Sequence, residues 1–199
     1  MDVLTGRQAR FRAAALVIIA IAGMAMAGSV RSQISLSARD SRDESLEYRV
    51  KAAYLLNFTR YVEWPTSTPA DTTLSICVLG ADPFGRVLDA TVAGRTAQGR
   101  TLQVRRVQTA SEATGCQVVF VSQETWRRNP QSVKTLSGAG SLTVGESEQF
   151  ARGGGVIGFV ILDETVRFVV NDEARDRAGL RISSRMLSLA AAIYGRNRS

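Results

Sequence analysis

Two cysteines, a handful of arginines and two asparagines are the side chains whose types and spacing invite chemistry. The chain holds no histidine, which removes Ser-His-Asp and Cys-His catalysis and the commonest metal ligand. Ser183 and Ser184 stand before an apolar helical pattern as a nucleophile might. No lysine follows three residues on, and helix capping accounts for a serine there. The carboxylates are scattered, with no facing pair for glycoside chemistry and no Asp/Asn loop at calcium spacing. Gly153, Gly155 and Gly158 match a dinucleotide fingerprint in reversed context. They follow a helix and open a strand, whereas phosphate binding needs a strand followed by a helix N-terminus, so a turn and close packing explain them better. These residues point to no catalytic residue, no metal and no cofactor.

Cys77 and Cys116 are the only cysteines. In an exported protein an even count suggests a disulfide, and two cysteines allow one pairing; two buried thiols are the alternative. Two polar sets remain. One is Asn57 and Arg60, three apart on a helical pattern. The other is Arg167, Asn171, Arg181 and Arg185. Arginine forks recognise carboxylates and phosphates, so if both sets reach one rim they could hold a small anion or an acidic partner segment. Ordinary surface charge, with Asp172, Glu173 and Asp176 as neighbours, is the competing reading. The sequon Asn57-Phe58-Thr59 falls within the helical pattern and reads as accidental.

The elements that must position these groups follow from periodicity. In KAAYLLNFTRYVEWP (51–65), Tyr54, Leu55, Phe58, Tyr61 and Val62 recur at helical spacing. Pro65 should stop the helix at Trp64, and Ser41 with Glu44 could form its capping box. LSICVLG (74–80) and VVFVS (118–122) are buried strands, and LQVRRV (102–107) is a strand whose arginines place it towards an edge. Asp82-Pro83 should start a helix reaching about Ala90. Gln123 to Leu136 is a weaker helix broken at Asn129-Pro130. SLTVGE (141–146) is a short strand and SEQFARGG a short helix. Residues 155–171 alternate around Asp163-Glu164 as a hairpin. A last helix should begin near Ser183, with Met186, Leu187, Ala190 and Ile193 on one face. This order predicts an α/β fold: a single three-layer domain around a mostly parallel sheet of about six strands, with a C-terminal antiparallel hairpin. A Cys77–Cys116 bond requires the two central strands to be near neighbours.

The chain has 199 residues, 45% hydrophobic and 22% charged, which suits one globular domain without a metal. Arg7, Arg10 and Arg12 precede the apolar run Ala13 to Ala22 and the triplet Ala25-Met26-Ala27. That is the pattern of a secretory signal peptide over 1–27, in a run too short for a comfortable span. Residues 28–44 read as a flexible arm, leaving 45–199 as the α/β domain. Removing the leader takes away three arginines and Asp2, so the net charge falls from +7 to +5. A dispersed excess of that size gives no footprint for nucleic acid.

Six blocks in order, KAAYLLNFTRYVEWP, ICVLGADPFG, CQVVFVS, LTVGESEQFARGGGVIGFV, RFVVN and AGLRISSRMLSLA, resemble the YfiR-like (HmsC-like) family of exported bacterial proteins from about Val50 to Leu189. The resemblance implies a periplasmic α/β domain, often dimeric, that represses an inner-membrane diguanylate cyclase by binding its periplasmic sensor region. Cyclic-di-GMP and biofilm output are thereby held down. It also implies that Cys77 and Cys116 form the disulfide flanking the two central strands, without the second cysteine pair of some relatives. Trp64, Phe84 and Trp126 are the aromatic residues to weigh as contact surface. The alternatives are a soluble periplasmic sensor or carrier of a small anionic ligand, and an exported enzyme of other chemistry.

Overall fold

The computed structural model describes residues 45–65 and 72–195. The expected leader, arm and capping box lie outside those residues, as does most of the loop before the first long strand. By its contacts the chain divides into Met1–Leu46 and Glu47–Ser199, and the latter carries the fold.

Helix α1 spans 45–61. It ends three residues before Trp64, which corrects the expected boundary. Val62–Glu63 form strand β1 instead, paired antiparallel with β9 (Arg181–Ile182). Pro65 pushes its predecessor out of helical space, and β9 supplies the hydrogen bonds that a further helical turn would have made.

The remaining strands are β2 (Thr73–Leu79), β3 (Thr96–Ala97), β4 (Arg100–Val107), β5 (Val118–Val121), β6 (Leu142–Gly145), β7 (Ile157–Leu162), β8 (Thr165–Asn171) and β10 (Ala192–Tyr194). They form one sheet in the order β10-β8-β7-β6-β5-β2-β4-β3. Five of its seven adjacencies are parallel, joining β4-β2-β5-β6-β7 and β8 to β10; β3–β4 and the β7–β8 hairpin are antiparallel. The sheet therefore has eight strands where about six were expected, the additions being the short edges β3 and β10. Asp163 and Glu164 turn the hairpin with φ of 47° and 58°, the left-handed pair that a two-residue turn between twisted strands requires.

Helices α2 (Arg86–Val92), α3 (Gln123–Arg128), α4 (Pro130–Gly138), α5 (Glu148–Arg152), α6 (Asp172–Arg177) and α7 (Ser184–Leu187) complete the layers. Helix α2 starts later than Asp82-Pro83 suggested. The Asp82 carboxylate accepts from the Phe84 and Gly85 amides at 2.8 and 3.3 Å, which closes a turn and delays the helix. The last helix is also shorter than expected. Ser183 caps it through the Met186 amide, but it stops at Leu187, and Ala192–Tyr194 joins β8 as a parallel edge strand. Met186, Leu187, Ala190 and Ile193 do pack on one core. Their spacing fits a helix, yet the open edge of β8 satisfies more backbone groups.

Alternate residues of the central strands feed two cores. Leu74, Ile76 and Val78 of β2, with Val118 and Phe120 of β5, face α1, α2 and α7. Cys77, Leu79, Val119 and Val121 face the other way, towards α4, α5 and the Trp126 ring of α3. Cys77 and Cys116 form a disulfide within that second core, with Cα atoms 6.0 Å apart. The neighbouring strands it requires are β2 and β5.

Candidate functional site

Helix α1 crosses its core with one aromatic stripe. Tyr54 and Phe58 stack against Phe159 and Phe168, with ring centroids 5.4 to 6.1 Å apart. Where this stripe runs out towards solvent, α7 lies beside it and a cleft of about 200 Å³ opens. Tyr54, Asn57, Phe58 and Tyr61 line it from α1, and Phe168 closes the floor from β8. Arg185 and Met186 of α7 and the following Leu189 form the other wall. The Ser183 amide donates to the Tyr61 carbonyl oxygen at 3.0 Å, which fixes the start of α7 against the end of α1. The β1–β9 pairing holds the same junction from below.

The cleft is apolar at its base and cationic at its rim. Arg185 is its one charged lining residue and no carboxylate lines it. Among the described residues the side chains of Asn57, Arg60 and Arg185 make no hydrogen bond or ion pair, and all three are exposed. Arg167 donates to the Leu189 carbonyl oxygen at 3.4 Å, so its guanidinium borders the same rim. Leu189 is 58% exposed and Tyr61 38%, a paired apolar edge beside free guanidinium groups.

Asn57 and Arg185, one from each polar set read in the sequence, therefore meet at one cleft. Arg60 lies beside Asn57 on the outer face of α1, and Arg167 lies beside Leu189. Arg181 is exposed on β9, 3.7 Å from the Glu63 carboxylate. Asn171 does not reach a rim. It is buried, donates to the Ala151 carbonyl oxygen at 2.7 Å and accepts from the Ala174 amide at 3.0 Å, capping α6. Trp64 is half-buried, and its indole donates to the Gln117 carbonyl oxygen at 2.9 Å.

The other two aromatics weighed as contact surface serve the interior. Phe84 is buried edge-on against Phe120 at 4.7 Å, and Trp126 packs on Phe150. The aromatic residue that does face solvent is Tyr61, 38% exposed although helical spacing puts it on the apolar stripe. Spacing 54, 58, 61 is a buried stripe by pattern, and only the neighbouring α7 shows where that stripe emerges. Asn57 falls at the stripe's edge, lining the cleft with Tyr54, Phe58 and Tyr61. The sequon around it is engaged internally, since the Thr59 hydroxyl is buried and donates to the Leu56 carbonyl oxygen at 2.6 Å.

Several charged groups elsewhere are paired. Arg106 bonds the carboxylates of Asp82 and Asp89 and the Gly85 carbonyl oxygen. Those bonds hold the Asp89 carboxyl below the usual carboxylate range, Arg106 being the largest cause. Arg152 stacks on the Tyr194 ring at 3.8 Å and pairs with Glu148. Burial pushes the Tyr194 hydroxyl up, and its bond to Glu148 adds to that. No group of three or more His, Cys, Asp or Glu among the described residues could hold a metal ion. No described helix is long and apolar enough to cross a membrane. The arrangement can recognise an anionic group beside an apolar one, and it offers no nucleophile paired with a base.

A family model described as YfiR/HmsC-like matches residues 48–191. No curated protein matches the chain. Two solved structures are similar over 60% of it: the ABC domain in complex with L-Trp from Streptococcus pneumonia, at 14% identity and a TM-score of 0.44, and a conserved domain protein from Vibrio cholerae, at 12% and 0.46. The chain spans 55% and 54% of those two chains, and they bear on neither the site nor its role.

Proposed function

The chain belongs to the YfiR/HmsC-like family, and from that premise we propose that it is a periplasmic binding protein that represses an inner-membrane diguanylate cyclase through that enzyme's periplasmic sensor region. Regulation of a diguanylate cyclase from the periplasm is the family's role. Repression, with lower cyclic-di-GMP and less biofilm, is the specific form proposed for this chain. The signal peptide over 1–27 delivers it, the Cys77–Cys116 bridge suits an oxidising compartment, and it acts as a homodimer without catalysing a reaction.

The observation that carries this reading is the rim of the α1–α7 cleft. Unpaired Arg185, Arg60 and Asn57 stand beside exposed Tyr61 and Leu189, which is the composition of an interface anchor and lacks the parts of an active site. Repression then requires tighter binding to the inactive cyclase than to the active one, because a ligand with equal affinity for both states shifts nothing. A tenfold bias corresponds to about 1.4 kcal/mol of differential affinity.

Deleting the gene in its host should raise cyclic-di-GMP, and a copy carrying the leader should restore it. A copy lacking residues 1–27 should fail to complement. Unchanged cyclic-di-GMP in a strain that expresses the candidate cyclase would sink the proposal. Sedimentation of the purified mature chain tests the dimer.

A further inference from the structure

We propose that the α1–α7 cleft seats one apolar side chain, aromatic or branched, projecting from an acidic segment of the partner protein. This rests on the reading of the chain as a docking repressor and narrows it to a chemistry. The cleft's volume of about 200 Å³ is the size of one large side chain. Its floor is already built, since Tyr54 and Phe58 each meet the Phe168 ring at a steep angle, 5.6 and 5.4 Å between centroids. A preformed floor costs little to order on binding. Leu189, 58% exposed at the edge, would be covered by the chain on either side of the inserted residue.

Charge selects the occupant. Arg185 lines the cleft with no carboxylate beside it, Arg60 flanks it without a partner among the described residues, and Arg167 holds only a carbonyl oxygen at the Leu189 rim. Aspartate or glutamate next to the inserted side chain would meet these forks directly. A second copy of this chain on the same face would bring like guanidinium groups together across a two-fold axis, which is unfavourable. A free small acid could meet Arg185 but would leave Leu189 and Tyr61 in water.

The test places p-benzoylphenylalanine at Leu189 in the full chain, expressed in its own host, with a control at Arg128 on α3. After irradiation of whole cells, the crosslinked peptide is identified by mass spectrometry. The expected product is a peptide in which an apolar residue stands within two positions of Asp or Glu. Arg185→Glu should cut its yield at least tenfold, while Arg128→Glu leaves it unchanged. Both arginines are exposed, and an unaltered melting curve confirms that the variants fold.

A crosslink to a second copy, to a segment without acidic residues, or at a yield no higher than the Arg128 control overturns the proposal. So does a yield indifferent to Arg185→Glu. Stabilisation of the purified chain by millimolar phenylacetate without any crosslink reassigns the cleft to a small aromatic acid and likewise overturns it. If the captured acidic segment belongs to a protein without a cyclase domain, the cleft chemistry stands and the cyclase reading falls. If deletion raises cyclic-di-GMP yet nothing crosslinks, the reading stands and the cleft proposal falls.

Discussion

The indole Nε1 of Trp64 donates to the main-chain carbonyl oxygen of Gln117 at 2.9 Å, across 53 residues of sequence. Gln117 itself is buried, its side chain accepting from the Ser75 amide and donating to the Gly115 carbonyl oxygen. One donor thus ties the end of α1 to the turn that delivers Cys116 and starts β5. Trp64→Phe keeps most of the ring and loses that bond, so it should cost about 1 kcal/mol. Trp64→Ala also empties the packing and should cost about 3 kcal/mol, the low end for a half-buried tryptophan. Urea denaturation of the oxidised protein measures both, and a Trp64→Phe variant as stable as the natural chain would show that the bond contributes nothing.

The disulfide joins cysteines 39 residues apart, and both sulfurs lie in the core, at 0% and 2% exposure. Loop closure of that length stabilises by about 4 kcal/mol in the chain-entropy model, an upper value. Cys77→Ser with Cys116→Ser should therefore lower stability by about 2 to 4 kcal/mol. Because a reductant cannot reach the buried bridge, its reduction rate should track opening of the fold and rise with urea. Rapid reduction in native buffer, followed by thiol labelling, would contradict this.

Much of this architecture could be read from residue pattern, and the exceptions share a cause. The core strands showed themselves because β2 and β5 are buried on both faces and therefore almost continuously apolar, Ser75 of β2 being the buried exception. The pairing of Cys77 with Cys116 fixed which strands are neighbours. What local pattern could not supply is the competition for open edges. Val62–Glu63 left the helix because β9 was available, and Ala192–Tyr194 became a strand because β8 had a free side. The cleft was half legible: Asn57 and Arg185 came from residue type, whereas Tyr61 and Leu189 depend on where α7 ends. Asn171 misled because a capping asparagine and a binding asparagine look alike in sequence.

Gly155 and Phe150 explain the glycine cluster without a nucleotide. A Cβ at Gly155 would lie 2.0 Å from Phe150 Cε1, and one at Gly145 would lie 2.3 Å from Phe150 Cγ. The ring is fully buried between the two backbones. Gly155→Ala should destabilise by about 1 to 3 kcal/mol through overpacking. Phe150→Leu in the same chain should recover part of that loss, because the smaller side chain vacates the contested space. An additive double variant, measured by thermal unfolding, would show that ring and glycine do not compete.

Asp89 carries a pH signature. Its carboxyl is held below the ordinary range, chiefly by hydrogen bonds from Arg106. A depressed carboxyl contributes stability that is fully present above its unfolded value and is lost as the pH falls through the folded value. The protein should therefore lose stability on acidification below about pH 4, a region where the unfolded chain binds more protons. Asp89→Asn should be less stable than the natural chain near neutrality, and the gap should close as the pH falls through the carboxyl's folded value. Melting temperatures across that range decide it, and a gap that stays constant with pH would rule out the Arg106 contact as its source.

Lys51 is the charge on which the seating of α1 depends. It is 4% exposed, and its ammonium bonds the Glu146 carboxylate at 2.9 Å and Glu47 at 2.5 Å. It also lies 4.5 Å from the Tyr48 ring centroid, and the Tyr48 hydroxyl donates to the same Glu146 oxygen. Glu146 directly follows β6, so this contact sets one end of α1 against the sheet while Tyr54 to Tyr61 form the cleft at the other. Lys51→Met leaves two carboxylates facing each other without a cation and should cost about 3 kcal/mol. Adding Glu146→Gln removes one of those charges, keeps an acceptor for Tyr48, and should restore about 1 to 2 kcal/mol. The double-mutant cycle, read by denaturant unfolding, isolates that coupling. If the two substitutions add without coupling, the pair does not hold α1 to β6, and the orientation of the cleft depends on aromatic packing alone.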